Sequence, residues 1–298
     1  MFSFSLLPGF RFCLSLLAVA VAVQCHADEI ADESTRGDPA VRRSDDLPVD
    51  PDTRGPAFRG LLGVSAASAA EYPGSDRRDQ SLRPLYAVRY GRLKLASSGS
   101  SSLLDFGSAP DESGATLDLL TSSRWKLRAG LRIGGGRSSS DSGYLAGLPD
   151  VSRTVLARGA IGYLITPNLV LNGTLVWDLL GRGNGATWSN TLDYRRRLGG
   201  ETELRLSTGF TLGNATHLNS FYGVPLSAEN ADRPAYRPGG GFKDVGVGAG
   251  LTSAFGSHWI AFGGLSYTRL LGATLDSPLT LQNHDVAATV GVAWKCCR

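Results

Sequence analysis

The chain has 298 residues, of which 42% are apolar and only 19% charged, and its 30 basic and 27 acidic side chains leave a formal charge of +3. The basic residues are scattered rather than gathered in a stripe, which argues against a nucleic-acid partner. Four cysteines without a paired CxxC arrangement offer no zinc site.

Residues 1–27 read as a secretory signal peptide. Arg11 precedes an apolar core at 14–23, and Cys25-His26-Ala27 resembles a cleavage site, placing the mature start near Asp28. The uncharged run is too short to span a bilayer as a helix. Lipoprotein processing at Cys25 is disfavoured by the bulky Gln24 before it. Residues 28–57 carry nine acidic side chains, four prolines and almost no large apolar residue. Such a segment cannot bury enough surface to offset its ordering entropy, so it reads as a disordered periplasmic arm. The folded domain is expected at 58–298.

That domain reads as strand after strand. Residues 58–71 form the first, Tyr72-Pro73-Gly74-Ser75-Asp76 a turn, and residues 83–95 the second, with Pro84 near its start, where a strand tolerates proline. Short segments at 103–107 and 115–120 flank a further turn, and residues 125–133 alternate apolar with basic residues. A Gly/Ser-rich loop covers 134–149; its Gly134-Gly135-Gly136 lacks the Lys and helix of a phosphate cradle.

The clearest pattern runs from Thr154 to Gly213, as four consecutive segments of alternating polarity. In 169–179 the odd positions are apolar; in 186–198 it is the even ones, with Ser189, Thr191, Asp193, Arg195 and Arg197 opposite. Alternation gives each strand one greasy and one wet face. A second long loop at 214–241 precedes three strands at 242–253, 258–271 and 285–296. Long amphipathic strands with intervening turns predict an all-β fold, an antiparallel transmembrane β-barrel of about 10–12 strands. Trp125, Tyr163, Trp177, Trp188, Tyr194, Trp259, Tyr267 and Trp294 fall where interfacial girdles would sit.

The polar faces carry Lys126, Arg128, Arg132, Arg158, Arg195, Arg197, Arg205 and Arg269, which would line a cationic lumen. Catalysis finds little support. His258 neighbours Ser257 and His284 neighbours Asp285, but adjacent strand residues face opposite ways, and both histidines are expected in solvated turns. Neighbouring Cys296 and Cys297 are expected to remain unpaired, since a ring between adjacent residues is strained. No catalytic residue, cofactor or metal is assigned.

Four stretches resemble, in order, the MipA/OmpV family of MltA-interacting outer-membrane proteins. They are Glu71-Tyr72-Pro73-Gly74-Ser75-Asp76 with the following Leu82-Arg83-Pro84-Leu85; Gly143-Tyr144-Leu145-Ala146-Gly147-Leu148-Pro149-Asp150; Ser220-Phe221-Tyr222-Gly223-Val224; and Asp276-Ser277-Pro278-Leu279. The matching positions are Tyr72, Gly74, Ser75, Pro84, Gly147, Leu148, Asp150, Tyr222, Gly223, Ser277 and Pro278. The chain departs from the family in ending Trp294-Lys295-Cys296-Cys297-Arg298 rather than on an aromatic residue.

The resemblance implies a non-enzymatic barrel in the outer membrane of a Gram-negative bacterium, in contact with outer-membrane lipid. It also implies a scaffold linking a murein lytic transglycosylase to a bifunctional peptidoglycan synthase. The residues alone leave open a small-solute, anion-leaning pore, and less favourably an outer-membrane lipid-modifying enzyme.

Overall fold

The computed structural model describes residues 58–97 and 113–296. The expected signal peptide, the acidic arm, the segment at 103–107 and Cys297 lie outside the described residues. Twelve strands follow one another: β1 (Phe58–Ala70), β2 (Arg78–Tyr90), β3 (Leu93–Ala96), β4 (Gly114–Thr121), β5 (Trp125–Gly134), β6 (Thr154–Thr166), β7 (Leu169–Asp178), β8 (Ala186–Gly199), β9 (Thr202–Gly213), β10 (Gly241–Phe255), β11 (Trp259–Leu270) and β12 (His284–Cys296). Each pairs antiparallel with its sequence neighbours, and β1 pairs with β12 from Gly60↔Cys296 to Ser68↔Ala288, closing the barrel. Closure leaves no sheet edge, so every strand can satisfy its backbone groups away from water.

The register shows which face points outward. Leu62, Val64, Leu127, Leu131, Leu171, Leu175 and Leu206 are exposed and occupy alternate positions. A wall with greasy side chains outside and polar ones inside is the inverse of a soluble core. Aromatic residues gather in two belts on that outer face. One contains the cross-strand pairs Trp125↔Tyr163 and Trp259↔Trp294, with Tyr194 opposite Leu169; the other contains Trp177, Trp188, Phe210 and Tyr267. From Leu169 to Trp177 is about 26 Å along the strand, near the height of an outer-membrane apolar band once tilt is allowed for.

The two ends differ. At one end the chain reverses through short turns such as Gly91-Arg92, Pro167-Asn168 and Gly200-Glu201. At the other lie the long connections 71–77, 135–153, 179–185, 214–240 and 271–283.

Two expectations are corrected here. The stretch 83–95 is two strands, because Gly91 and Arg92 turn the chain and Tyr90 faces Leu93 across the hairpin. The long loop at 214–241 contains a helix, α1 (Ala215–Tyr222), whose N-cap Asn214 accepts a bond from His217 N. Pro84 sits in β2 opposite Val64. Tyr86 N donates to Ser97 Oγ on the β3 side, so two residues earlier the missing N–H of Pro84 faces the same way, beyond the β2–β3 pairs.

Candidate functional site

Strand alternation puts one charged set inside the barrel. Of the basic residues expected there, Lys126, Arg128 and Arg132 share the inner face of β5; Arg158 is on β6, Arg195 and Arg197 on β8, and Arg205 on β9. Arg269 is a correction. It pairs with Val245, on the outward register of β10, and is exposed near the long-loop rim.

Two carboxylates organise this wall. Asp193, fully buried, accepts Arg205 Nη2 at 2.7 Å and Arg205 Nε at 3.1 Å on one oxygen. Its other oxygen accepts Asn172 Nδ2 at 2.8 Å and Thr191 Oγ1 at 3.2 Å. Asp118 lies 3.5 Å from Lys94 Nζ and 3.8 Å from Arg89 Nη2, and is the cross-strand partner of Arg128. Between the two nodes Arg158 Nη2 donates to Thr116 Oγ1 at 2.8 Å. Arg195 faces Arg205 directly across β8 and β9, a like-charge pairing that costs energy unless carboxylates flank it, as Asp193 and Glu203 do. These acids were not singled out in the sequence, although Asp193 stands in the inward phase between Thr191 and Arg195.

The other side of the lumen is apolar at the short-turn end. Leu61, Leu85, Ala87, Ala96, Ile260 and Ala293 form a buried cluster, with Ala254 and Phe262 against it.

The long-loop end carries a cap. Tyr72 from the β1–β2 loop, Leu145 and Leu148 from the β5–β6 loop, Val224 from the β9–β10 loop and Leu279 from the β11–β12 loop form one buried cluster. In a twelve-strand circuit β5 and β6 lie opposite β11, β12 and β1, so these contacts cross the mouth. A second cluster joins Leu218 and Tyr222 of α1 to Leu270.

Polar bonds tie the crossing down. Ser277 Oγ donates to Tyr222 O at 2.6 Å, and Tyr144 Oη to Pro278 O at 3.1 Å. Arg233 donates to the carbonyls of Tyr144 and Ala146, its guanidinium 5.6 Å from the centre of the Tyr144 ring. Arg137 donates to the carbonyls of Phe221 and Pro149, both at 3.2 Å. Leu281 N and Gln282 N both donate to Gly74 O; Gly74 itself has φ +105°, which favours glycine, and a Cβ there would sit a tight 3.1 Å from Thr280 Cα. At Gly223 a Cβ would sit 2.3 Å from Asn219 O, so only glycine closes the helix there.

Thus Tyr72, Gly74, Ser75, Gly147, Leu148, Asp150, Tyr222, Gly223, Ser277 and Pro278, separate in sequence, all lie in the loops of one end. Pro84 alone lies in the wall. Burial, with Tyr144, Asp76 and Glu71 nearby, pushes the Tyr72 hydroxyl up to about 12. Backbone and side-chain bonds from Ser139 hold the Asp150 carboxyl below the usual range. Burial lowers His217, whose Nδ1 lies 2.8 Å from Asn184 O. Arg137 and Arg233 escaped notice in the sequence, because their partners are backbone carbonyls that leave no residue-type trace.

The histidine reading needs two amendments, the first being that His284 opens β12 opposite Arg269 rather than lying in a turn. Ser257 Oγ and His258 Nδ1 do meet, at 2.6 Å, because they share an exposed turn rather than a strand. The His258 ring stacks on Trp294. His284 is exposed and bonds to Asn283 and Gln282. Among the described residues no three His, Cys, Asp or Glu side chains are grouped to hold a metal.

Among solved structures, an outer-membrane channel from Pseudomonas putida F1 aligns at 14% identity over 82% of this chain and 96% of its own, with a TM-score of 0.43. The CymD monoaromatic hydrocarbon channel aligns at 9% identity over 83% and 90%, with a TM-score of 0.38. The N-terminal β-barrel domain of Pseudomonas aeruginosa OprF aligns at 17% over 58% and 96%, with a TM-score of 0.25. A comparison with curated proteins returned no match. The model of the family described as MltA-interacting protein MipA matches residues 62–296, which takes in the wall, the lumen and every loop of the cap. This twelve-stranded outer-membrane barrel belongs to the MltA-interacting protein MipA family.

Proposed function

We propose that the barrel is a non-enzymatic scaffold in the outer membrane of a Gram-negative bacterium, holding a murein lytic transglycosylase and a bifunctional peptidoglycan synthase. The observation that carries this reading is the family match across residues 62–296, in a family described by its interaction with MltA. In barrels of this class short turns face the periplasm and long loops the exterior. That orientation sets the turns at Gly91-Arg92 and Gly200-Glu201 towards the cell wall, with residues 1–27 as export signal and 28–57 as a periplasmic tether. The outward Leu, Val and aromatic belts supply the contact with outer-membrane lipid.

Affinity purification of the tagged chain from mildly solubilised envelopes tests the scaffold. Recovery of a murein hydrolase or synthase supports it, and neither partner under conditions that keep the barrel folded counts against it. Mass spectrometry of the same preparation should find the mature chain starting near Asp28.

A second reading has its own observation. The inward basic residues of β5, β6, β8 and β9 favour a path for small anions. Planar-bilayer recordings would show anion-selective conductance, enlarged when the cap is loosened by Arg233→Ala. A silent bilayer with both proteins would eliminate the pore.

A further inference from the structure

We propose that the cleft among the β5–β6, β7–β8 and β9–β10 loops is a binding site for a small organic anion, a phosphate or carboxylate joined to an apolar body. The cleft measures about 590 Å³, within the usual range of small-molecule sites. Its walls bring together Arg137, Arg182 and Arg237 from three different loops, against the single carboxylate of Asp150. That carboxylate is turned to its own loop, where it accepts Ser139 N at 2.6 Å.

Arg137 is the second, independent observation. It is only 7% exposed, and its two Nη groups donate to neutral carbonyls. Its buried Nε has no hydrogen-bond partner. The hydrogen-bond acceptors of this buried guanidinium are all uncharged and its carboxylate neighbours Asp150 and Asp141 act on it without bonding to it, so a bound anion would supply a directly contacting partner. Arg182 spends one Nη on Arg153 O at 3.3 Å and stays exposed, as does Arg237. Apart from Asn219 and Ser220, the rest of the lining is glycine or apolar side chains. Val224 and Tyr236 form one side, and Leu226 stands 81% exposed at its edge, an apolar side chain positioned for a hydrophobic ligand body.

This site is at the long-loop end and is independent of any protein partner at the short-turn end. Two sources share the chemistry: a free organic phosphate or carboxylate, and the phosphates of a surface glycolipid.

The test uses the full mature chain in phosphatidylcholine nanodiscs, titrated calorimetrically with 1-naphthyl phosphate, and separately with inorganic phosphate and 1-naphthol. The expected result is one saturable site for naphthyl phosphate, at least tenfold weaker for either half of the probe alone. The paired substitution Arg182→Glu and Arg237→Glu, on exposed side chains, should weaken it a further tenfold or more without changing heat-modifiable gel mobility. Leu226→Ser should weaken naphthyl phosphate while leaving inorganic phosphate unaffected. Absence of saturable naphthyl phosphate binding, or equal affinity in the Arg182/Arg237 variant, overturns the proposal. Discs doped with lipopolysaccharide separate the sources: competition assigns the site to the lipid surface, and unchanged affinity to a free solute. Either outcome supports the site.

Discussion

The barrel draws arginine out of solvent in two places and satisfies its donors in two ways. In the wall, Arg205 meets the fully buried Asp193, and Lys94 and Arg89 converge on Asp118. In the cap, Arg233 and Arg137 hold backbone carbonyls of other loops, with Tyr144 under one of them. Strands fix side-chain positions in advance, so a carboxylate can be stationed on the neighbouring strand to balance charge. Loops have no such frame. There the planar fork of arginine acts as the frame, bonding two carbonyls at once and setting the distance between chain segments.

The largest expected effect lies on the wall. Asp193→Ala removes the partner of Arg205 and leaves it facing Arg195; breaking a buried pair in this way costs about 3–5 kcal/mol. Barrel unfolding in urea, followed by gel mobility, should shift accordingly, and an unchanged midpoint would erase the distinction drawn here. Next comes the cap. Arg233→Ala frees two carbonyls and should loosen the loops by about 2–3 kcal/mol without unfolding the wall. Hydrogen exchange at Tyr144 to Leu148 would register it. Lysine sharpens the contrast: Arg233→Lys should behave nearly as alanine does, while Arg205→Lys retains its pairing with Asp193.

Smaller effects follow at α1. Asn214 Oδ1 accepts from both His217 N and Ala186 N, joining helix to β8, so Asn214→Ala should cost about 1 kcal/mol, read as faster exchange in 215–222. His217 is neutral-favouring in the fold: burial and Lys243 lower its pKa, outweighing Asn184 O and Asp244. Above the ordinary value of 6.5 both states are neutral and the cap keeps its full stability. As pH falls through 6.5 towards the lowered folded value, the unfolded loop takes up the proton first and stability is lost. Proteolysis of the 214–240 loop should therefore accelerate between pH 7.5 and pH 5.5 (roughly the span in which an imidazole titrates). His217→Gln should flatten that dependence.

Much of the wall was legible because a period of two is written directly in residue type. The segments at 169–179 and 186–198 match β7 and β8 to within a residue. The missed turn shows what such reading needs. Tyr86, Val88 and Tyr90 face outward at even positions, whereas Leu93 and Leu95 do so at odd ones. A two-residue turn makes that change of phase, and the phase, rather than composition, was the signal. The sequence count of about 10–12 strands took in 103–107, which lies outside the described residues, and missed β3.

The cap was legible only through family motifs. Tyr72 and Leu279, or Arg137 and Phe221, touch because the wall carries them together, and neither periodicity nor spacing records it. The helix left one trace, an Asn N-cap with Leu218 and Tyr222 four apart on one face, hidden among prolines.

One feature of the cap bears on assembly. Its cluster takes residues from both the first hairpin, at Tyr72, and the last, at Leu279, so it joins the two ends of the domain across the β1–β12 seam. Contacts of such sequence separation form late, after the entropy of the intervening chain has been lost. During insertion the loops should stay open to protease until the final strand has zipped onto the first. Cap protection would then serve as a clock for seam closure, readable in a folding time course by cleavage in 214–240 alone.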